Sequence, residues 1–145
     1  KAFILDTLCD EENELTKGTL RQSIFKYEAL LQVGEKYQQR VFEQIGKDWG
    51  YMLYQKATSF WETLNGAKDF DHAGSLCHGW SAIPAYLYYA YVLGIKPLEP
   101  GFKKVDISPI SGGFYKAEGK IKTPLKEIEV SWIKDGVEIK IINNI

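Results

Sequence analysis

The stretch Leu93-Gly94-Ile95-Lys96-Pro97-Leu98-Glu99-Pro100-Gly101-Phe102 separates two kinds of sequence. Before it, apolar residues recur every three or four positions. After it, they recur every two. Helical spacing followed by strand spacing, without interleaving, is the pattern of an α+β fold. Upstream, Leu20, Ile24, Tyr27, Leu30 and Leu31 make one face of a helix expected over residues 19–33. Thr19 can cap its start and Gly34 can end it. A second helix is expected over residues 35–53, with Tyr37, Val41, Phe42, Ile45, Trp49 and Met52 on one stripe; Gly46 and Gly50 weaken its last turns. The short link at Gly34 makes these helices antiparallel neighbours. Residues 57–74 read as a loop with turn signals at Asn65-Gly66 and Ala73-Gly74, and with a helical turn around Trp61. A third helix is expected over residues 75–93, with Leu76, Trp80, Ile83, Leu87 and Tyr91 facing inward. Pro84 would kink it or mark its true first turn, and Gly94 stops it.

Downstream, residues 102–107 alternate weakly. Ile128, Val130 and Trp132 alternate with charged residues, and Val137, Ile139 and Ile141 do so beyond Lys134-Asp135-Gly136, which predicts a β-hairpin with an Asp-Gly turn. Ser111-Gly112-Gly113 and Thr123-Pro124 are further turns. The last 45 or so residues therefore read as a small antiparallel sheet with one wet and one packed face.

Length bounds the architecture: 145 residues make one domain, or one domain with a small appendage. Eighteen Lys and Arg against nineteen Asp and Glu give a net charge of -1. Without a basic surplus to neutralise a phosphate backbone, no nucleic-acid partner is expected. No apolar run approaches the roughly 18 residues of a membrane helix, so no membrane partner is expected. Cys9 and Cys77 allow one bridge but no disulfide framework. The sequence begins Lys1-Ala2-Phe3 and its single Met is Met52, so the chain is expected to start inside something longer, and its compartment stays open. The run Asp10-Glu11-Glu12-Asn13-Glu14 reads as a solvated loop.

Glu62 is the leading candidate for chemistry. It follows Phe60-Trp61 in the loop, and a carboxylate beside aromatic surface loses hydration, which suits it to acid or base work. The plainer reading is a surface Glu near a helix start. His78, in Cys77-His78-Gly79-Trp80, is either a core histidine satisfied by a carbonyl or a polar group lining a cleft. Trp61 and Trp80 are either core or stacking platforms for a sugar, because an indole face matches the C–H face of a pyranose. Cys77 and His78 lack a second Cys or His at ligand spacing, and Asp69-Phe70-Asp71 is too sparse for a calcium loop, so no metal is expected. Phosphate-binding Gly motifs and a Gly-x-Ser-x-Gly elbow are absent, and no cofactor is expected.

Three stretches act together: Trp49-Gly50-Tyr51-Met52-Leu53 leading into Ala57-Thr58-Ser59-Phe60-Trp61-Glu62, then Ser75-Leu76-Cys77-His78-Gly79-Trp80-Ser81-Ala82-Ile83-Pro84, then residues 93–102. In this order and spacing they resemble the C-terminal part of bacterial α-L-rhamnosidases, glycoside hydrolase family 78. The resemblance covers about residues 19–132.

That resemblance implies an (α/α)6 barrel of paired helices followed by a small antiparallel β-sandwich. Residues 1–96 would supply the last barrel helices and residues 97–145 the sandwich segment. It implies an inverting hydrolase that removes terminal α-L-rhamnose from glycosides or polysaccharides. The Glu of the Trp-Glu motif, here Glu62, would be the general base, and the His, here His78, would line the rhamnose subsite. Trp61 and Trp80 would help wall the pocket. The family's general acid lies in an Asp-rich segment absent here, and inversion needs two carboxyls roughly 6.5–9.5 Å apart. The chain alone is then expected to be inactive, with the upstream part of the same enzyme as its partner. Truncated helix pairs would expose apolar faces, which predicts self-association. The alternative from a different class is a non-catalytic carbohydrate-binding or degenerate module derived from that fold.

Overall fold

The computed structural model describes residues 2–10, 18–134 and 136–140; for Ala2 and residues 136–140 it describes the backbone. The chain is a mixture of helices and small antiparallel sheets, and it divides into two compact units, Lys1–Pro84 and Ala85–Ile145.

The first unit is built on three helices, α1 (Ala2–Cys9), α2 (Ser23–Leu31) and α3 (Glu35–Tyr54). The expected helix over residues 19–33 begins as a 3-10 turn, Leu20–Gln22, before it becomes α2. The Gln22 side chain turns back to accept the Thr19 amide at 3.0 Å, and this favours a tight first turn. Gly34, at φ +153, starts α3 directly after α2, as the short link requires. The stripe read from spacing is the one that packs: Tyr37, Val41, Phe42, Ile45, Trp49 and Met52 are buried, as are Tyr27, Leu30 and Leu31 of α2. Each such aliphatic or aromatic side chain contributes about 1.5–3 kcal/mol on burial. Gly46 and Gly50 do not interrupt α3, whose tertiary packing outweighs their poor propensity. The α1 helix has no counterpart in the sequence reading. It is tied to α3 by Lys36, whose Nζ donates to Asp6 Oδ1 at 2.9 Å. The Asp6 carboxyl is held below its ordinary value first by that bond. Both groups are exposed, so the pair adds little stability.

The expected third helix is largely corrected. Residues 75–78 are not helical, and helix begins only with the 3-10 turn Gly79–Ser81 and the segment Ile83–Leu87. Leu76 and Trp80, expected to face inward, are exposed, whereas Ile83, Leu87 and Tyr91 are buried as expected. The reason is local. The backbone of residues 75–78 bonds to another loop, and the Ser75 hydroxyl donates to the Cys77 carbonyl, so no helical ladder can form there. Pro84 sits in the first turn of the helical segment, one of the two places allowed to it. From Tyr88 to Val92 the helix widens into a π turn, with the Leu93 amide donating to the Tyr88 carbonyl at 2.8 Å. Gly94, at φ +70, ends it.

In the second unit β1 (Ile95–Pro97) pairs antiparallel with β2 (Val105–Ile107). A separate sheet has the order β3 (Lys116–Lys122), β4 (Glu127–Ile133), β5 (Gly136–Lys140), all antiparallel. Ile128, Val130 and Trp132 on β4 are buried, as the alternation predicts, and the Trp132 indole N–H donates to the Val92 carbonyl at 2.8 Å. Thr123 closes the β3–β4 hairpin: its hydroxyl donates to the Lys126 carbonyl and accepts from the Lys126 amide. The β4–β5 hairpin is present with Ile133 opposite Gly136, so Gly136 opens the strand. Asp135, Ile141 and the acidic residues Glu11, Glu12 and Glu14 lie outside the described residues.

β3 escapes a pattern-based reading. Its inward positions are Ala117, Gly119 and Ile121, between exposed Lys116, Glu118, Lys120 and Lys122. Only one of the three is strongly apolar. At Gly119 an added Cβ would lie 2.5 Å from Leu93 Cδ1, so a larger residue there would oblige the Leu93 side chain to move.

Candidate functional site

All four site residues read from the sequence belong to the first unit, on two loops that pair with each other. Residues 59–62 form one arm and residues 75–78 the other. The Glu62 amide donates to the Ser75 carbonyl at 2.9 Å, and the His78 amide donates to the Phe60 carbonyl at 2.7 Å. The Ser59 hydroxyl adds a bond to the Leu76 carbonyl. The arms therefore run antiparallel, like two strands of a short ladder. Glu62 and His78 are 16 positions apart in sequence, and this ladder places them on facing arms.

Glu62 closes the first rung twice. Besides its backbone bond, its Oε2 accepts the Ser75 amide at 3.2 Å. One carboxylate oxygen is thereby fixed against the opposite arm, and the side chain remains partly open to solvent. His78 is half-buried, and its ring meets the edge of Trp80 at 5.9 Å between centroids and 85° between planes. Trp80 is 64% exposed, and the Arg21 guanidinium lies 4.5 Å from its ring centroid. Trp61 is half-buried against Gly66, where an added Cβ would fall 2.8 Å from Trp61 Cε3. No helical turn surrounds Trp61; the turn in this region is Gly66–Lys68.

Between the arms, residues 62–75 form an Ω-loop, a compact excursion whose ends meet. Its waist is a close crossing of Gly66 and Gly74: a Cβ on Gly74 would lie 2.0 Å from the Gly66 carbonyl oxygen. The sequence marks both glycines only as turn signals. Beyond the waist, Phe70, Asp71 and His72 stand consecutively in the left-handed region, at φ +53, +55 and +68. For non-glycine residues this conformation costs of order 1–3 kcal/mol each and needs support from the surroundings. The support is Asp69. Its Oδ1 accepts the Asn65 side-chain amide at 3.0 Å, and its backbone carbonyl accepts the Ala73 and Gly74 amides at 3.1 and 3.0 Å. The buried Thr63 hydroxyl meets no acceptor in regular hydrogen-bond geometry, and it interacts with the Asp69 carboxylate. Thr63 first, and Asn65 second, hold that carboxyl below its ordinary 3.8. Asp69 escaped the sequence reading, which weighed it only as a calcium ligand.

The sign of this shift gives a prediction. A carboxyl with a lowered folded pKa adds stability that is complete above 3.8 and is lost as pH falls through the lower folded value. The Asn65 side-chain amide resonances should therefore titrate with a midpoint below 3.8 and stay flat in Asp69→Asn. A midpoint at or above 3.8 would contradict the assignment.

The same unit holds a cleft of about 620 Å³, whose lining includes Thr63, Asn65 and Asp69 and none of Trp61, Glu62, His78 or Trp80. The cleft and the sequence-derived site thus share no lining residue. Cys9 and Cys77 are free thiols, the first half-buried and the second exposed. Among the described residues no three His, Cys, Asp or Glu side chains gather as a metal site, and no helix is long and apolar enough to cross a membrane.

In sequence and fold the chain is similar to a segment of glycoside hydrolases. The chain is 35% identical to an α-L-rhamnosidase of Alteromonas sp. (strain LOR) across 70% of its length. It is 30% identical to an α-L-rhamnosidase of Formosa agariphila across 91% of its length. It also superposes on the crystal structure of a GH78 family rhamnosidase of Bacillus sp. GL1 with a TM-score of 0.75, 32% identity and 91% coverage. No protein-family model matches the chain. The chain spans 12% and 15% of the two sequence relatives and 14% of the solved chain. It is homologous to a portion of the rhamnosidases of glycoside hydrolase family 78.

Proposed function

We propose that this chain is the C-terminal, base-carrying segment of an inverting α-L-rhamnosidase. In this reading residues 1–96 belong to the last helices of an (α/α)6 barrel and residues 97–145 to a C-terminal β-sandwich. The substrate is a rhamnose-containing carbohydrate. The carrying observation is the Glu62–Ser75 rung: Oε2 is held by the Ser75 amide, which orients the carboxylate and leaves Oε1 to receive a proton. Inversion needs such a carboxylate to activate water on the face of the sugar opposite the leaving oxygen. Glu62 takes that proton as water attacks the anomeric carbon, and the C–O bond to the aglycone breaks. The leaving oxygen is protonated by an acid contributed by the upstream part of the enzyme. His78, on the facing arm, hydrogen-bonds the sugar, and Trp61 and Trp80 offer apolar ring surface to its C–H face.

The test is stereochemical. The full-length protein containing this segment should cleave an aryl α-L-rhamnoside, and proton NMR of the earliest product should show β-rhamnose. The 145-residue chain alone should not hydrolyse it. First release of the α anomer, or no hydrolysis by the full-length protein, would overturn the reading.

A further inference from the structure

The Ω-loop between the two arms contains a residue that ties both of them behind the Glu62–Ser75 rung. On the Glu62 side, Asn65, three positions after Glu62, donates its side-chain amide to the Asp69 carboxylate at 3.0 Å. On the Ser75 side, Ala73 and Gly74 immediately precede Ser75, and their amides converge on the Asp69 carbonyl. We propose that Asp69 is a positioning residue for Glu62, holding the two arms at the separation that lets the Ser75 amide orient the Glu62 carboxylate. The inference rests on Glu62 being the base.

The geometry makes the coupling direct. The Gly66–Gly74 crossing leaves no room for a side chain, so the waist can neither tighten nor admit a spacer. The two arms are short and carry few bonds beyond the Glu62–Ser75 and His78–Phe60 contacts. The three left-handed residues that follow Asp69 favour opening the loop, and the Asp69 bonds oppose that tendency. Without the carboxylate, the Asn65 side-chain amide loses its acceptor, and the Glu62 arm is freed to shift relative to Ser75. A displacement of the base by about 1 Å can lower turnover on the order of 100-fold. Substrate affinity, set by His78 and the ring walls, depends much less on that displacement.

The experiment compares Asp69→Ala, Asp69→Asn and Glu62→Gln in the full-length enzyme on an aryl α-L-rhamnoside. Asp69→Ala should lower kcat about 10- to 100-fold with KM within about twofold of wild type. Asp69→Asn keeps an oxygen acceptor for Asn65 and should recover most of the loss. Wild-type kcat in Asp69→Ala, a change confined to KM, or an Asn variant as impaired as the Ala variant would each overturn the inference. Should Asp69→Ala fail to fold, Asn65→Ala removes one bond of the tie and should lower kcat to a lesser degree at unchanged KM; no change in kcat would again overturn it. Glu62→Gln separates the two levels. If it is inactive while Asp69→Ala is unimpaired, only the positioning role falls. If it retains turnover, the base assignment falls and the inference with it.

Discussion

Glu62→Gln in the complete enzyme should reduce kcat by about 10²- to 10⁴-fold and leave the thermal midpoint almost unchanged. The two halves of this expectation come from different parts of the same side chain. In the proposed mechanism the carboxylate accepts a proton from water, and an amide oxygen is far too weak a base to replace it. The structural contacts of residue 62, however, are its backbone bond to the Ser75 carbonyl and one side-chain oxygen accepting the Ser75 amide at 3.2 Å. Glutamine keeps both. Added azide, a small anionic nucleophile that needs no base, should restore part of the rate to a smaller Glu62→Ala side chain and yield a glycosyl azide of inverted configuration. Normal turnover in Glu62→Gln would move the base elsewhere, and a large drop in thermal midpoint would mean the residue is principally structural.

Gly94→Ala should destabilise the second unit by roughly 3–5 kcal/mol, combining close contact with an unfavourable backbone conformation. Gly94 ends the π turn at φ +70, and its carbonyl accepts the Ser108 amide at 3.0 Å. A Cβ would lie 2.2 Å from both Pro109 N and the Ser108 carbonyl carbon. These are backbone atoms, so no rotamer change relieves the clash. Relief requires separating the 94–95 segment from residues 108–109, beside the β1–β2 pair. Gly101→Ala is the matched control, at φ +71 with open space around it, and isolates the conformational cost of about 1–2 kcal/mol. Urea unfolding of the two variants decides the matter. Equal losses would show that close approach at Gly94 contributes nothing.

The parts of the fold legible in the sequence are those where one strong periodicity meets one kind of neighbour. The α3 stripe from Tyr37 to Met52 and the β4 alternation of Ile128, Val130 and Trp132 are of this type. The failures share a cause as well. Residues 75–78 carry an acceptable helical spacing, but the Ser75 amide and carbonyl, the Leu76 carbonyl and the His78 amide bond to residues 59–62, a tertiary pairing that spacing does not encode. β3 is hidden because two of its inward positions, Ala117 and Gly119, are small, with Leu93 lying close above Gly119. α1 lies in a stretch whose contacts with α3 run through Asp6 and Lys36, exposed charges with no periodic signature. At the site, Glu62, His78, Trp61 and Trp80 stood out as residue types and through motif resemblance. Asp69 did not, since its role depends on partners on both sides of a loop crossing that only coordinates reveal.

The row of residues along β3 has a bearing on how copies of this protein behave when crowded. β3 is an outer strand of its sheet, and outer strands invite strand addition. Its solvent side displays Lys116, Lys120 and Lys122 against a lone acidic group, Glu118, and the Tyr89 hydroxyl already caps the Lys120 carbonyl. Two molecules meeting along this border would align rows of like charge and find one acceptor occupied. The border thus disfavours strand addition along β3, while exposed aromatic side chains such as Phe25 and Tyr54 offer apolar surface elsewhere.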